Sequence, residues 1–86
     1  MSDAPENVPT GNALRAALVA RAKELLGESA YAERMGVSPR ATRYWATDDP
    51  RRPVKDGVLR DTLRVLIEHR QQTGDLIKGV RSVLED

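Results

Sequence analysis

Six cationic side chains, Arg34, Arg40, Arg43, Arg51, Arg52 and Lys55, fall within residues 34–55, opposed there only by Asp48 and Asp49. The local balance is +4, against −2 for residues 1–33 and −1 for residues 56–86, inside a chain whose net charge is only +1. Charge concentrated in this way suits a polyanionic partner. Eleven of the fourteen basic residues are arginine, whose planar fork bonds phosphate or guanine with two parallel hydrogen bonds. Ser38, Tyr44 and Thr47 interleave hydroxyls with them. Other chemistry is thin. Cysteine is absent and His69 is the one histidine, so neither a disulfide framework nor a structural zinc site is expected. No paired carboxylates suggest a cleft, no nucleophile stands by a base and no glycine-rich loop could cradle a phosphate. An enzyme is not expected, and no cofactor.

The elements that must position these arginines are helical. Tyr31, Tyr44 and Trp45 are the only aromatics and β-branched runs are missing, while Ala, Leu, Arg and Glu dominate, a composition that favours helix over strand. Eighty-six residues suit one domain of modest core, for which oligomerisation is a natural source of extra stability. No apolar run approaches a membrane span and the first residues lack a signal-peptide pattern, so a cytoplasmic location is expected.

Residues 1–9 offer little to bury and are expected to form a flexible arm. Thr10 can cap a first helix with Leu14, Leu18, Ala22 and Leu25 at helical spacing, stopped by Gly27. Ser29 to Met35 predicts a short second helix with Ala32 and Met35 facing inward, ended by Gly36 in the left-handed conformation. Val37 plugs the turn. Ser38 followed by Pro39 is a cap with proline at the first helical position, opening a third helix to about Ala46. Asp48 to Pro53 reads as a loop. From Asp56, the set Val58, Leu59, Leu63, Leu66 and Ile67 predicts a fourth helix to roughly Gln72. A further segment carries Leu76, Ile77, Val80, Val83 and Leu84, and Thr73 as a cap before Asp75 favours a break at Gly74. Residues 10–73 form the expected domain, with the critical unit at about 28–47 and a C-terminal helix at 74–86.

Two short helices meeting at a steep angle require a small residue where they touch, a backbone able to turn left and apolar plugs at fixed offsets. Ala32, Met35, Gly36, Val37 and Trp45 meet those demands in register. Thr42 sits where a purely apolar β-branched residue is the simpler choice, because its hydroxyl needs a partner if buried. The run Tyr-Ala-Glu-Arg-Met-Gly-Val-Ser-Pro-Arg-Ala-Thr-Arg-Tyr-Trp, Tyr31 to Trp45, resembles the phage-repressor helix-turn-helix family, the Cro and Xre-like domains, which commonly read Leu-Ala-x-x-Leu-Gly-Val-Ser-x-x-Thr-Ile-x-x-Trp there. The sequence that follows, an acidic pair and a basic, proline-containing loop, is similar to the small repressors associated with anti-CRISPR operons. One departure is Glu28: the family often has a glutamine at the start of the second helix, near a phosphate that would repel a carboxylate.

The resemblance implies an all-α, compact four- or five-helix, lambda-repressor-like domain of phage or mobile-element type, acting on double-stranded DNA at the bacterial nucleoid. In such a motif the helix at 38–47 enters the major groove. Ser38, Arg40, Arg43, Tyr44 and Thr47 lie on its outward face as candidate base readers, Arg40 and Arg43 foremost, with packing against the fourth helix as the other reading of Tyr44. Ser29, Arg51, Arg52 and Lys55 are candidate phosphate contacts, unless the loop is simply solvated. Arg34 is expected to pair with a carboxylate, His69 to be surface and Trp45 to be core. Leu76, Ile77, Val80, Val83 and Leu84 are the candidate dimer interface, the other reading being a helix that closes the monomer core. A dimeric repressor or autoregulator reading an inverted repeat follows, with no small-molecule ligand expected. The alternative is a protein-interaction module, antitoxin-like or adaptor, that uses the same helices as scaffold.

Overall fold

The computed structural model describes residues 11–85, and the expected arm and the Thr10 cap lie outside them. Four helices follow one another: α1 (Gly11–Leu26), α2 (Glu28–Met35), α3 (Pro39–Ala46) and α4 (Asp56–Glu85). No strand occurs among the described residues, so the chain is all-α there.

The centre of the fold is built from small and polar residues as much as large apolar ones. Ala16, Val19 and Ala22 are the buried residues of α1, because α2, α3 and α4 all pack against it and only short side chains allow so close an approach. Leu14, Leu18 and Leu25, expected to face inward, are instead 42, 50 and 64 % exposed. They occupy the neighbouring stripe of α1. Ala22 keeps its expected place. The same correction holds on α4, where Thr62 and Val65 are buried while Leu63 stays 58 % exposed. Val58, Leu59 and Leu66 are half-buried against the central cluster of Val19, Ala22, Tyr31 and Val54.

Tyr31 is fully buried, and its hydroxyl shares a 2.7 Å hydrogen bond with Thr62 Oγ1 that ties α2 to α4. Burial pushes the phenol above its usual range, with Thr62 opposing, so the group stays neutral and its hydrogen bond is kept at any ordinary pH. Thr42 is also fully buried, and its hydroxyl donates to the Pro39 carbonyl at 2.6 Å. Its need for a partner is met within its own helix.

Between α3 and α4 the chain forms the expected loop, but not a loosely solvated one. Asn12 at the start of α1 accepts from the Val54 amide at 2.6 Å and donates to Asp48 at 2.6 Å. Arg15 donates to the Val54 carbonyl at 3.1 Å and pairs with Asp56 at 2.7 Å. Val54 is thereby buried between anchors at both ends of the loop. Asp48 itself sits at φ 57, a left-handed conformation that Asp tolerates better than most residues.

α4 runs unbroken for 30 residues, about 45 Å. Gly74 does not end it and no boundary separates residues 74–85 as a helix of their own. Nothing stands within 4 Å of the place a Cβ would occupy there, and one glycine inside a helix costs only about 1 kcal/mol. From Arg70 onward every described residue but Gly74 is exposed. The second half of α4 therefore extends beyond the packed centre, and the expectation of a compact molecule fails for that segment. No described helix is long and apolar enough to cross a membrane.

Candidate nucleic-acid interface

Gly36 ends α2 at φ 75, with the amide following the helix returned to Ala32 and Glu33. Glycine bears this left-handed geometry without the strain a side chain would add. The Val37 amide donates to the Ala32 carbonyl at 3.0 Å. Three residues later α3 begins with Ser38 as its cap, Oγ accepting from the Ala41 amide at 3.2 Å, and Pro39 in the first turn. Ala32 is buried where α2 meets its neighbours, and Met35 and Trp45 pack against the central cluster. Val37 is half-buried. Of the five expected motif residues, Ala32, Met35, Gly36 and Val37 stand at the turn, and Trp45 shares the central cluster with Met35.

α3 packs on α1 and α2, and its backbone stays apart from that of α4. Its inward side is Thr42, with Ala41, Trp45 and Ala46 half-buried beside it, and Arg40, Arg43 and Thr47 are exposed. Those three recur at steps of three and four, one stripe of a helix. Ser38 is exposed at its head.

Within the stripe the side chains differ in freedom. Arg43 is held by Glu28, Nε donating at 2.8 Å and Nη2 at 3.1 Å to the two carboxylate oxygens. Lys23 adds a third contact to the same carboxylate at 3.4 Å. Glu28 is accordingly held down at about 2, chiefly by the Arg43 hydrogen bond against a smaller burial effect, and Arg43 is pushed up by the same bond. The carboxylate at the start of α2 is therefore the group that pins a candidate base reader. Arg40 has no ion-pair partner among the described residues. Thr47 Oγ1 donates to the Tyr44 carbonyl at 3.0 Å, closing α3.

Tyr44 packs neither on α4 nor on a bare surface. The Arg52 guanidinium lies 4.0 Å from its ring centroid, a cation–π contact that folds the loop back onto α3. Arg51 is turned towards Asp49, which accepts from its amide at 2.9 Å and from its guanidinium at 3.3 Å. These contacts hold the Asp49 carboxyl below its usual range, the backbone bond contributing most. Lys55 is exposed just ahead of α4, its carbonyl accepting from Val58 and Leu59. Ser29 is exposed in the first turn of α2. Arg34 pairs with Glu68 at 3.7 Å, as expected, whereas His69 is half-buried and not simply surface.

Sequence reasoning passed over Tyr31, Thr62, Val54, Asn12 and Arg15, which tie α2 to α4 and anchor the loop after α3. Asn12 and Arg15 lie 36 to 42 residues from their partners, beyond any local pattern. No protein family, no curated protein and no solved structure matches this chain.

Proposed function

We propose that this chain is a sequence-specific DNA-binding regulator, a repressor or autoregulator that sets α3 in the major groove through a helix-turn-helix. The observation that carries the reading is the outward stripe of α3, Arg40, Arg43 and Thr47, left clear of α4 and presented by a left-handed turn at Gly36. A helix so displayed offers arginines to base edges while its other side packs. Arg40 is the foremost base reader, being free to adapt. Arg43 becomes one when a phosphate or base displaces Glu28. Arg51, Arg52, Lys55 and Ser29 flank the stripe and supply phosphate contacts, which fix register and carry no sequence information. Exposed Leu76, Ile77, Val80, Val83 and Leu84 give the second half of the reading, a homodimer whose two α3 helices address an inverted repeat.

Titration of a selected DNA duplex with three proteins tests this. Arg40→Ala weakens specific binding by about 1–3 kcal/mol and relaxes preference at one base pair, while Lys55→Ala weakens binding to every sequence and lowers the salt slope by about 1. Binding by both variants equal to that of the parent contradicts the proposal.

A further inference from the structure

Two apolar surfaces stand open on the described residues. One is a groove of about 670 Å³ between α1 and the first half of α4, walled by Leu18 and Leu25 on one side and Leu59, Leu63 and Leu66 on the other. The other is the end of α4, where Leu76, Ile77, Val80, Val83 and Leu84 are 46 to 79 % exposed. They share one face of one helix. Leu59, Leu63, Leu66, Arg70, Thr73, Ile77, Val80 and Leu84 recur at steps of four, three, four, three, four, three and four, the spacing of a coiled-coil seam.

That seam reads the same way from either end. Reversed about a point between Gln71 and Gln72, Leu59 meets Leu84, Leu63 meets Val80, Leu66 meets Ile77 and Arg70 meets Thr73. Every seam position falls on another, aliphatic on aliphatic except for two symmetry-related polar layers at the centre, Arg70 against Thr73, that fix register. We propose that two copies of this chain pair antiparallel along α4 in this register, the tail of each filling the groove between α1 and α4 of the other. This deepens the dimer named above by assigning its register and its acceptor surface.

Three observations favour a second copy as the occupant. A two-fold contact is self-complementary, and this one covers both open surfaces at once, whereas tail against tail leaves the groove open. The tail also gains from a partner: it carries Gly74 and Gly79, each costing about 1 kcal/mol in a helix, and nothing among the described residues of its own chain buries its aliphatic side chains. Finally, residues 1–10 contain, besides two prolines, only Met1, Ala4 and Val8 as apolar side chains, too few to fill a groove walled by five leucines.

The test uses the full chain, whose lack of cysteine lets introduced thiols report alone. In one molecule Leu63 and Val80 lie about 25 Å apart along a straight helix, too far for a disulfide within the chain. The double variant Leu63→Cys/Val80→Cys is expected to oxidise to a covalent dimer on a denaturing gel, with each single variant staying monomeric there. Sedimentation of the parent is expected to show a dimer at micromolar concentration. A monomer in sedimentation, no cross-link in the double variant, or self-cross-linking of Val80→Cys alone, which reports tail against tail, overturns the proposal. No DNA enters the measurement, so its failure is distinct from failure of the DNA-binding reading.

Discussion

The outward stripe of α3 and the tail of α4 are both left uncovered, yet water treats them differently. Arg40 and its neighbours lose little by standing in solvent, and those that can be paired locally are, Arg43 with Glu28 and Arg51 with Asp49. The tail exposes five aliphatic side chains, each worth about 1.5–3 kcal/mol when fully buried. A bare cationic surface suits a partner that comes and goes with salt. A bare aliphatic one suits a partner that stays. On the proposed reading the first meets an exchanging polyanion and the second a standing interface.

Breaking the packed centre that separates the two surfaces has the largest expected effect. Tyr31→Ala removes a fully buried ring and leaves Thr62 without its 2.7 Å partner. It is expected to cost about 3–5 kcal/mol, read as a lower denaturant midpoint. A loss under 1 kcal/mol sinks the view that Tyr31 joins α2 to α4.

Two alanine substitutions sharpen the comparison by carrying opposite signs. At Gly36, φ 75 puts a side chain in a left-handed conformation, and Gly36→Ala is expected to destabilise by about 1–2 kcal/mol. At Gly74 the backbone is helical with open space around it, so Gly74→Ala is expected to stabilise by roughly 0.5–1 kcal/mol. Thermal unfolding of both proteins checks the signs; a destabilised Gly74→Ala means the tail is not helical there.

The smallest effect is acid dependence at the α3 stripe. Glu28 titrates near 2 in the folded chain instead of its ordinary 4.5, because Arg43 and Lys23 hold its charged form. A lowered carboxyl contributes stability that is complete above the unfolded value and is lost as pH falls from about 4.5 towards 2. Carboxyl chemical shifts followed by acid titration are expected to place the Glu28 midpoint well below those of exposed glutamates. An ordinary midpoint means that Arg43 is free. Replacing Glu28 by Gln is expected to release Arg43 and steepen the salt dependence of DNA binding by about one phosphate contact.

The unit around Gly36 was legible because its signals are local: a left-handed glycine, a serine cap, proline at the first helical position and small or apolar residues at fixed offsets. The all-helical class followed from composition in the same way. What was not legible depends on contacts distant in sequence. The alternation of leucines on α1 and α4 suggested an inward face, but the close approach of three helices reserves that face for Ala16, Val19, Ala22, Thr62 and Val65 and turns the leucines outward to wall a groove. Gly74 with Thr73 imitates a helix boundary, yet the cost of one glycine is too small to impose it. Arg43 looked like a free base reader because Glu28 lies fifteen residues away, on another helix.

Selection of bound duplexes from a random DNA pool by the full chain decides whether α3 reads a DNA sequence. An inverted repeat is expected to be enriched, with Arg40→Ala losing preference at one position in each half-site. Recovery of no sequence above background, or retention of DNA that is identical for Arg40→Ala and the parent at every position, contradicts it.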